Sequence, residues 1–252
     1  MATSTRKTLA IDVGGSGIKA IVLDSAGNSL SDRLRVETPY PLPPDRLVNT
    51  LVEFVAELPT YHRVSVGFPG VVRGGVVVTA PNLSRKSGPG SKVDPAIQQA
   101  WSGFPLADEL GAKLGKPVRV ANDADLQAAA VVSDEGIEVV LTLGTGMGSS
   151  VYTNGRLALH MEMGHHPLTD GATYEDLIGE VGRKTLGKKK WNKAVEEAIK
   201  TIDNLIVPDR IYVGGGNAKK VEVDLGPKVT IVDNSAGLLG GIKLWRRGGL
   251  EG

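Results

Sequence analysis

Two short glycine-rich segments are the part of this sequence whose residue types best suit the binding of phosphate. The first holds Gly14, Gly15, Ser16 and Gly17, and the second holds Gly144, Thr145 and Gly146. A glycine turn between two strands exposes backbone N–H groups that can converge on an anion, and a serine or threonine hydroxyl adds a donor. Lys19 would bring a mobile positive charge to the first turn. Either turn alone, however, is more simply explained as a tight β-hairpin without a ligand.

Two aspartates could add chemistry to these turns. Asp12 ends the strand before the first turn, where it would repel a bare phosphate. It is better suited to hold Mg²⁺ through water while the metal bridges phosphate oxygens. Asp123 follows a short predicted strand and could accept the proton of an attacking hydroxyl. From the residues alone, a helix N-cap is the better explanation of Asp123.

Other nucleotide-binding patterns fit less well. Gly15, Gly17 and Ala20 have the spacing of the dinucleotide fingerprint, but that fingerprint requires a helix to begin within it. Residues 19–23 are β-branched and aliphatic, which predicts a strand instead. Lys19 also lacks the long glycine-bounded loop of a P-loop.

The elements that must position these residues alternate between strand and helix, which predicts an α/β fold with a largely parallel sheet. Strands are predicted at residues 8–13, 18–23, 64–68, 117–121, 138–143, 149–152 and 210–213. Helices are predicted at residues 45–58, 105–114, 123–132, 191–205 and 235–247. Residues 82–105 are rich in Gly, Ser, Pro and Lys and are predicted mostly as loop. The strand–turn–strand pattern occurs twice, which fits either two related halves or coincidence.

Composition excludes several classes of protein. The 252 residues carry 29 Lys and Arg against 28 Asp and Glu, a net charge of +1 that argues against nucleic acid or an anionic membrane as partner. The sequence has no cysteine, which excludes disulfides, thiolate zinc sites and iron–sulfur clusters. No apolar run approaches the roughly 18–20 residues that span a bilayer, and no secretion signal is recognisable. We therefore expect a cytoplasmic protein.

Five motifs in order over residues 12–216 together resemble the actin/hexokinase/sugar-kinase ATPase fold, and within it the ROK sugar kinases. Asp12-x-Gly14-Gly15-Ser16-x-x-Lys19 and Leu143-Gly144-Thr145-Gly146-x-Gly148 resemble the two phosphate motifs of that fold. Val213-Gly214-Gly215-Gly216 resembles its adenosine motif, and Ala121-Asn122-Asp123-Ala124 and Glu162-Met163-Gly164-His165 are similar to ROK sugar-binding motifs. Tyr174-Glu175-Asp176-Leu177-Ile178-Gly179, followed by Arg183-Lys184-x-x-Gly187-Lys188-Lys189-Lys190-Trp191, resembles the polyphosphate glucokinases of that family.

The resemblance implies roles for individual residues. It makes Asp123 the catalytic base and places a nucleotide at Gly214, Gly215 and Gly216. It implies that sugar hydroxyls, which both donate and accept, bind to Asn82, Asn122, Asp123, Glu162, His165 and Glu175. Many ROK kinases bind zinc through a cysteine cluster and a histidine, so the absence of cysteine here predicts no structural zinc.

A basic stretch near residue 188 has two explanations. Between residues 183 and 193 it contains no acid, and its cations are Arg183, Lys184, Lys188, Lys189, Lys190 and Lys193. Such runs are usually a solvated helix face. The resemblance favours a path for polyphosphate, which carries about one charge per phosphate, and Arg85 and Lys86 could extend that path.

These expectations combine into one prediction. Two α/β lobes would enclose a cleft, with residues 1–120 and a C-terminal helix at 237–252 forming one lobe and residues 121–236 the other. The resemblance implies Mg²⁺-dependent transfer of a phosphoryl group from polyphosphate or ATP to the 6-hydroxyl of glucose, with mannose as a second acceptor and a homodimer as the assembly. The alternatives are an ATP-only hexokinase of the family, a sugar-responsive regulator, and a sugar-binding protein without catalysis.

Overall fold

The computed structural model describes residues 6–158, 161–232 and 239–245, and these fall into two compact units. The first unit comprises residues 6–130 and 239–245, and the second comprises residues 131–158 and 161–232. The first unit extends past residue 120 because the strand Val118–Asn122 belongs to its sheet and the helix Asp123–Ala129 packs on that sheet. Of the predicted helix at 237–252, residues 237–238 and 246–252 lie outside the described residues.

The first unit is built on a five-stranded sheet with the order β3-β2-β1-β4-β7. Its strands are β1 (Thr8–Val13), β2 (Ile18–Leu23), β3 (Leu34–Val36), β4 (Arg63–Phe68) and β7 (Val118–Asn122), with β5 (Val72–Arg73) and β6 (Val76–Val77) as a separate hairpin. Its helices are α1 (Pro44–Phe54), α2 (Pro95–Trp101), α3 (Leu106–Leu114), α4 (Asp123–Ala129) and α7 (Gly240–Lys243). The core is mostly aliphatic and includes Leu9, Val66, Leu47 and Leu110 around the buried rings of Phe68 and Trp101.

Residues 82–105 are mostly loop, as predicted, and the short helix α2 is the exception within this range. Asp94 caps it by accepting hydrogen bonds from the N–H groups of Ala96 and Ile97, and Pro95 occupies its first turn. Both residues are favourable at a helix start. The glycines and serines that suggested a loop all lie outside the helix, and its buried Trp101 anchors it to the core.

The second unit is built on a sheet with the order β10-β9-β8-β13-β14. Its strands are β8 (Ile137–Leu143), β9 (Met147–Thr153), β10 (Arg156–Leu157), β13 (Arg210–Gly214) and β14 (Val229–Ile231), with β11 (Pro167–Thr169) and β12 (Ala172–Thr173) as a hairpin. Its helices are α5 (Tyr174–Ile178) and α6 (Glu180–Ile206). α6 is broken at Gly187, which has φ +71°, and its apolar face buries Trp191, Val195, Ala198, Ile199 and Ile202 in the core.

The two sheets have the same topology. When the strands of each sheet are counted in chain order, the first pairs antiparallel with the second, and the second pairs antiparallel with the third. The first strand pairs in parallel with the fourth, and the fourth pairs in parallel with the fifth. The prediction of a largely parallel sheet is therefore wrong, since antiparallel and parallel pairings are equally frequent. The shared topology favours two related halves over coincidence as the source of the repeated glycine turn.

No helix within the described ranges is long and apolar enough to cross a bilayer.

Candidate active site

The first glycine turn joins β1 to β2 and is held from outside by two side chains. Within the turn, the Gly14 N–H donates to the carbonyl oxygen of Gly17 at 3.0 Å. The Thr38 hydroxyl donates to the Gly14 carbonyl at 2.6 Å, and the Tyr40 hydroxyl lies 2.8 Å from the Gly15 carbonyl oxygen. β2 follows the turn without any helix, which excludes the dinucleotide fingerprint.

Asp12 and Lys19 face each other across β1 and β2, directly below this turn. The Lys19 Nζ lies 3.0 Å from the Asp12 Oδ2, and both side chains are partly exposed. Lys19 is therefore an ion-pair partner of Asp12 in this structure, in addition to the phosphate-binding role that the sequence predicts.

Asp123 lies at the start of α4, close to Asp12. In the sheet register Asp12 is paired with Gly67 of β4. A Cβ at Gly67 would lie 3.1 Å from the Leu126 side chain and 3.5 Å from the Asp123 Cα, so glycine lets α4 approach the strand. Burial raises the pKa of Asp123 to about 7, and the negative charge of Asp12 adds to this effect. A carboxyl group with such a pKa is suited to accept a proton near neutral pH.

The N-cap of α4 is Asn122, one residue before the aspartate. Its Oδ1 accepts hydrogen bonds from the N–H groups of Ala124 at 2.8 Å and Asp125 at 3.3 Å, and its Nδ2 donates to the Gly70 carbonyl at 3.0 Å. The explanation of Asp123 as only a helix cap is therefore wrong, although its Oδ1 also accepts from the Ala124 N–H. Asn122 keeps one amide hydrogen with which it could bind a sugar hydroxyl.

Asn82 also lies beside the first glycine turn. A Cβ at Gly15 would lie 3.8 Å from the Asn82 Cβ, and the Asn82 carbonyl oxygen lies 3.0 Å from the Tyr40 hydroxyl. The first unit thus brings together Asp12, Lys19, the turn residues 14–17 and Asn82, and it also places Asp123 near Asp12. Arg85, whose guanidinium donates to the Ser91 carbonyl, and the exposed Lys86 belong to the loop that follows Asn82.

The second glycine turn joins β8 to β9 and is bound by residues that follow the predicted adenosine motif. The Gly144 N–H donates to the Gly146 carbonyl at 3.0 Å. Asn217 donates from its Nδ2 to the Gly144 carbonyl at 3.1 Å and from its N–H to the Leu143 carbonyl at 2.9 Å. Gly215 has φ +93°, and a Cβ there would collide with the Leu143 backbone. The second unit therefore places Gly214–Gly216 directly against the second turn, with Thr145 exposed.

Glu180 is a residue of this region that the sequence analysis missed. Its carboxylate accepts from the Arg183 Nε at 2.7 Å and Nη2 at 2.8 Å and from the Asn217 Nδ2 at 3.0 Å, while its N–H donates to the Thr145 carbonyl at 3.1 Å. The hydrogen bonds from Arg183 hold the pKa of Glu180 far below its usual range. The sequence signal that could have identified Glu180 is its spacing of three and four residues from Arg183 and Lys184, which places the three side chains on one helix face.

The residues of the predicted sugar-binding motifs in the second unit lie close to this turn. Glu162 directly precedes a single 3₁₀ turn, Met163–His165, and both Glu162 and His165 are exposed. The Glu175 carboxylate is close to two glycines, because a Cβ at Gly146 would lie 2.6 Å from its Oε2 and one at Gly164 would lie 3.6 Å from the same atom. The structure thus brings Glu175 to both the second turn and the Gly-His motif.

The basic stretch is less strongly positive than its sequence indicates. Glu180 pairs with Arg183 and lies 3.4 Å from the Lys184 Nζ, and the Lys188 Nζ lies 2.7 Å from the Glu222 Oε2. These acids lie outside the stretch in sequence but beside it in the fold. Lys189 and Lys190 are exposed on the same helix.

In the part of the chain that the structure describes, no three side chains of His, Asp or Glu are grouped so that they could hold a metal ion by themselves.

Comparison with known proteins finds consistent similarities. A family model described as the ROK family matches residues 8–185. The polyphosphate glucokinase of Mycobacterium tuberculosis strain CDC 1551 is 34% identical over 230 residues, which cover 88% of this chain and 82% of that protein.

Solved structures extend these similarities to the fold. The inorganic polyphosphate/ATP-glucomannokinase of Arthrobacter sp. strain KM has a TM-score of 0.76 and 31% identity, covering 94% of this chain and 97% of that one. A ROK family transcriptional regulator, a homologue of the E. coli MLC protein, shares the fold with a TM-score of 0.75 at 16% identity, covering 98% of this chain and 80% of that one.

Proposed function

This chain belongs to the ROK family, and we propose that it is a hexokinase that transfers a phosphoryl group from inorganic polyphosphate or ATP to the 6-hydroxyl of glucose. The similarity to polyphosphate glucokinases over most of the chain supports the acceptor and the donor class. The observation that carries the proposal is the position of Asp123 at the start of α4, next to Gly67 and close to Asp12, where burial raises its pKa to about 7.

Asp123 acts as the general base of the proposed reaction. The glucose 6-hydroxyl forms a new O–P bond to the terminal phosphorus of the donor, and the bond from that phosphorus to the bridging oxygen breaks. The hydroxyl proton passes to the Asp123 carboxylate, and the shortened polyphosphate or ADP leaves with the electron pair of the broken bond. Asn122 positions this base, because its cap hydrogen bonds fix the first turn of α4.

The residues at the first glycine turn are suited to a magnesium ion. Asp12 and Asp123 are close enough that the charge of Asp12 raises the pKa of Asp123, so a divalent cation there would relieve their repulsion. Carboxylate oxygens are the protein ligands that Mg²⁺ prefers, usually together with several waters. Asp12 would hold the ion through water, and the bound ion would neutralise charge on the donor phosphates.

The glycine turns are suited to bind the phosphates of the donor. Backbone N–H groups of Gly14–Gly17 and Gly144–Gly146, with the hydroxyls of Ser16 and Thr145, are suited to phosphate oxygens. Lys19 would contribute its charge to the donor when it leaves or shares the ion pair with Asp12. Gly214–Gly216 would bind the nucleoside of ATP, and polyphosphate would extend toward Lys188–Lys190.

The proposed ligands of the acceptor are the polar side chains of the sugar-binding motifs. These side chains are Asn82, Asn122, Glu162, His165 and Glu175. Mannose is a second proposed acceptor, supported by the similarity to a glucomannokinase. The homodimer, which the resemblance implies, and the cytoplasmic location stay predictions.

A coupled assay for the 6-phosphate product tests the proposal. It compares ATP with ATP-free polyphosphate, each with glucose and with mannose, in the presence of Mg²⁺. Product from polyphosphate and glucose is the expected result. Product from ATP alone would identify an ATP-only hexokinase, and no product with either donor would favour a regulator, whose fold this chain shares.

A further inference from the structure

The hydroxyl group of Tyr40 connects two segments of the first unit that are far apart in sequence. It lies 2.8 Å from the Gly15 carbonyl oxygen and 3.0 Å from the Asn82 carbonyl oxygen. A phenol has one proton and a carbonyl oxygen can only accept, so the two carbonyls share a single donor. Burial raises the pKa of Tyr40, although the positive charge of Arg85 opposes this, so the hydroxyl keeps its proton at neutral pH.

The segment that contains Asn82 is tied together by its own hydrogen bonds. We call residues 80–94 the acceptor loop, because they include Asn82, a proposed ligand of the phosphoryl acceptor glucose. The Asp94 N–H donates to the Ser84 carbonyl at 2.7 Å, the Lys86 N–H donates to the Lys92 carbonyl at 3.0 Å, and the Ser84 hydroxyl donates to the Ala80 carbonyl at 2.7 Å. These hydrogen bonds link the two sides of the loop to each other, with Asn82 close to the side that contains Ser84.

Tyr40 itself is fixed by packing on one side and by the chain on the other. Gly88 of the acceptor loop has φ +99°, and a Cβ there would lie 3.3 Å from two carbon atoms of the Tyr40 ring, so the ring lies against its backbone. Two residues after Tyr40, the Leu42 carbonyl accepts a hydrogen bond at 3.0 Å from the buried Trp101 Nε1. Tyr40 is thus held well enough to position what its hydroxyl binds.

From these contacts we propose that Tyr40 is a positioning residue that sets the acceptor loop against the first glycine turn, and so couples glucose binding at Asn82 to donor binding at Gly15. The proposal rests on the proposed function for the roles of those two sites. It assigns no contact between Tyr40 and either substrate.

Two matched variants separate this role from a general structural one. Tyr40→Phe removes the shared hydroxyl and keeps the ring on Gly88. Thr38→Val removes the 2.6 Å hydrogen bond to the Gly14 carbonyl, which holds the same turn but does not reach the acceptor loop. For Tyr40→Phe we expect the KM for glucose and the KM for the donor each to rise about threefold to tenfold, as for loss of one neutral hydrogen bond. For Thr38→Val we expect only the KM for the donor to rise.

Hydrogen exchange supplies a readout that does not depend on turnover. Amide exchange in residues 82–92 should become faster in Tyr40→Phe and stay unchanged in Thr38→Val. An unchanged glucose KM together with unchanged exchange in Tyr40→Phe would overturn the proposal, as would an equal effect of both variants on the acceptor loop. If the wild-type protein makes no sugar phosphate, the proposed function fails, and the exchange result alone decides whether Tyr40 positions the loop.

Discussion

At the scale of single residues, the site depends on two carboxyl groups with different surroundings. Asp123 is partly buried at a helix start and has a raised pKa, whereas Asp12 is paired with Lys19. Environments that push the pKa values of neighbouring acids apart are the usual way in which one becomes a base and the other binds a cation. The sequence could locate both aspartates but could not give their protonation, because burial and mutual distance are properties of the fold.

Replacing Asp123 by Asn should abolish most turnover without abolishing sugar binding. The amide is nearly isosteric but cannot accept the hydroxyl proton, so we expect kcat to fall about a hundredfold or more. The affinity for glucose, measured by calorimetry, should change by less than about threefold. Asp108→Asn, on the exposed face of α3, is the matched control and should leave both quantities unchanged. A near-normal kcat for Asp123→Asn would show that another group is the base.

The pH dependence of activity should follow the ionisation of Asp123. We expect kcat/KM to rise with pH through about 7 and then level, because only the carboxylate accepts a proton. In Asp12→Asn the rise should occur at lower pH, since the variant removes the charge that helps to keep Asp123 protonated and leaves Lys19 uncompensated. The check is a pH profile of the residual activity. A shift to higher pH, or none, would contradict the assigned coupling.

At the scale of elements, the helix α6 is the part that the sequence described least completely. Its apolar positions from Trp191 onward predicted the second half, but the helix begins at Glu180 and is broken at Gly187. Periodicity could not show this because Gly187 interrupts the pattern and the first residues pack through polar groups. The acids that pair with its cations, Glu180 and Glu222, were missed because one precedes the stretch and the other comes from a distant segment.

Replacing Gly187 by Ala should destabilise the second unit. The backbone there has φ +71° and ψ 168°, a region that is almost restricted to glycine. We expect the free energy of unfolding, measured in urea, to fall by about 1–3 kcal/mol. Lys193→Ala, on the regular part of the helix, should cost less than about 0.5 kcal/mol. Unchanged stability of Gly187→Ala would mean that the break in the helix is readily removed.

Neutralising the three lysines after Gly187 should affect the two donors differently. We expect alanine at Lys188, Lys189 and Lys190 to raise the KM for long polyphosphate several times more than the KM for ATP, and increasingly so at low salt, because a row of charges attracts a long polyanion more strongly. Lys200→Ala is the control, since Lys200 lies on the same helix and pairs with Glu196 at 2.7 Å. An equal effect on both donors would favour the alternative of a solvated helix face.

At the scale of the whole molecule, the sequence predicted the fold through its repeated turns and the order of its motifs. β1 and β2 lie where they were predicted, because their β-branched residues and glycine turn act locally. The mixed pairing of the sheets could not be predicted, since strand order depends on contacts between residues that are distant along the chain. Asn122 and Asp123 belong to the first unit because β7 pairs with β4, and no local sequence pattern indicates that pairing.

The raised pKa of Asp123 should also be visible in the stability of the whole protein. The folded state binds a proton up to about pH 7, whereas the unfolded carboxyl loses it near 3.8, so ionisation opposes folding. The ionisation of this group therefore lowers the stability progressively as pH rises from about 4 to about 7, and it causes no further loss above about pH 7. Thermal unfolding of Asp123→Asn and wild type should show a difference in Tm that grows in favour of the variant over this range. A difference that is independent of pH would contradict the raised pKa.

Because the two sheets have the same strand order, the residue pairs next to the two glycine turns can be compared directly. Asp12 faces Lys19 across the first hairpin, and at the corresponding places of the second Thr142 faces Gly148. One copy of the scaffold thus carries an acid and a cation where its twin is electrically neutral. Residue differences of this kind allow one backbone arrangement to serve different chemical roles in the two units.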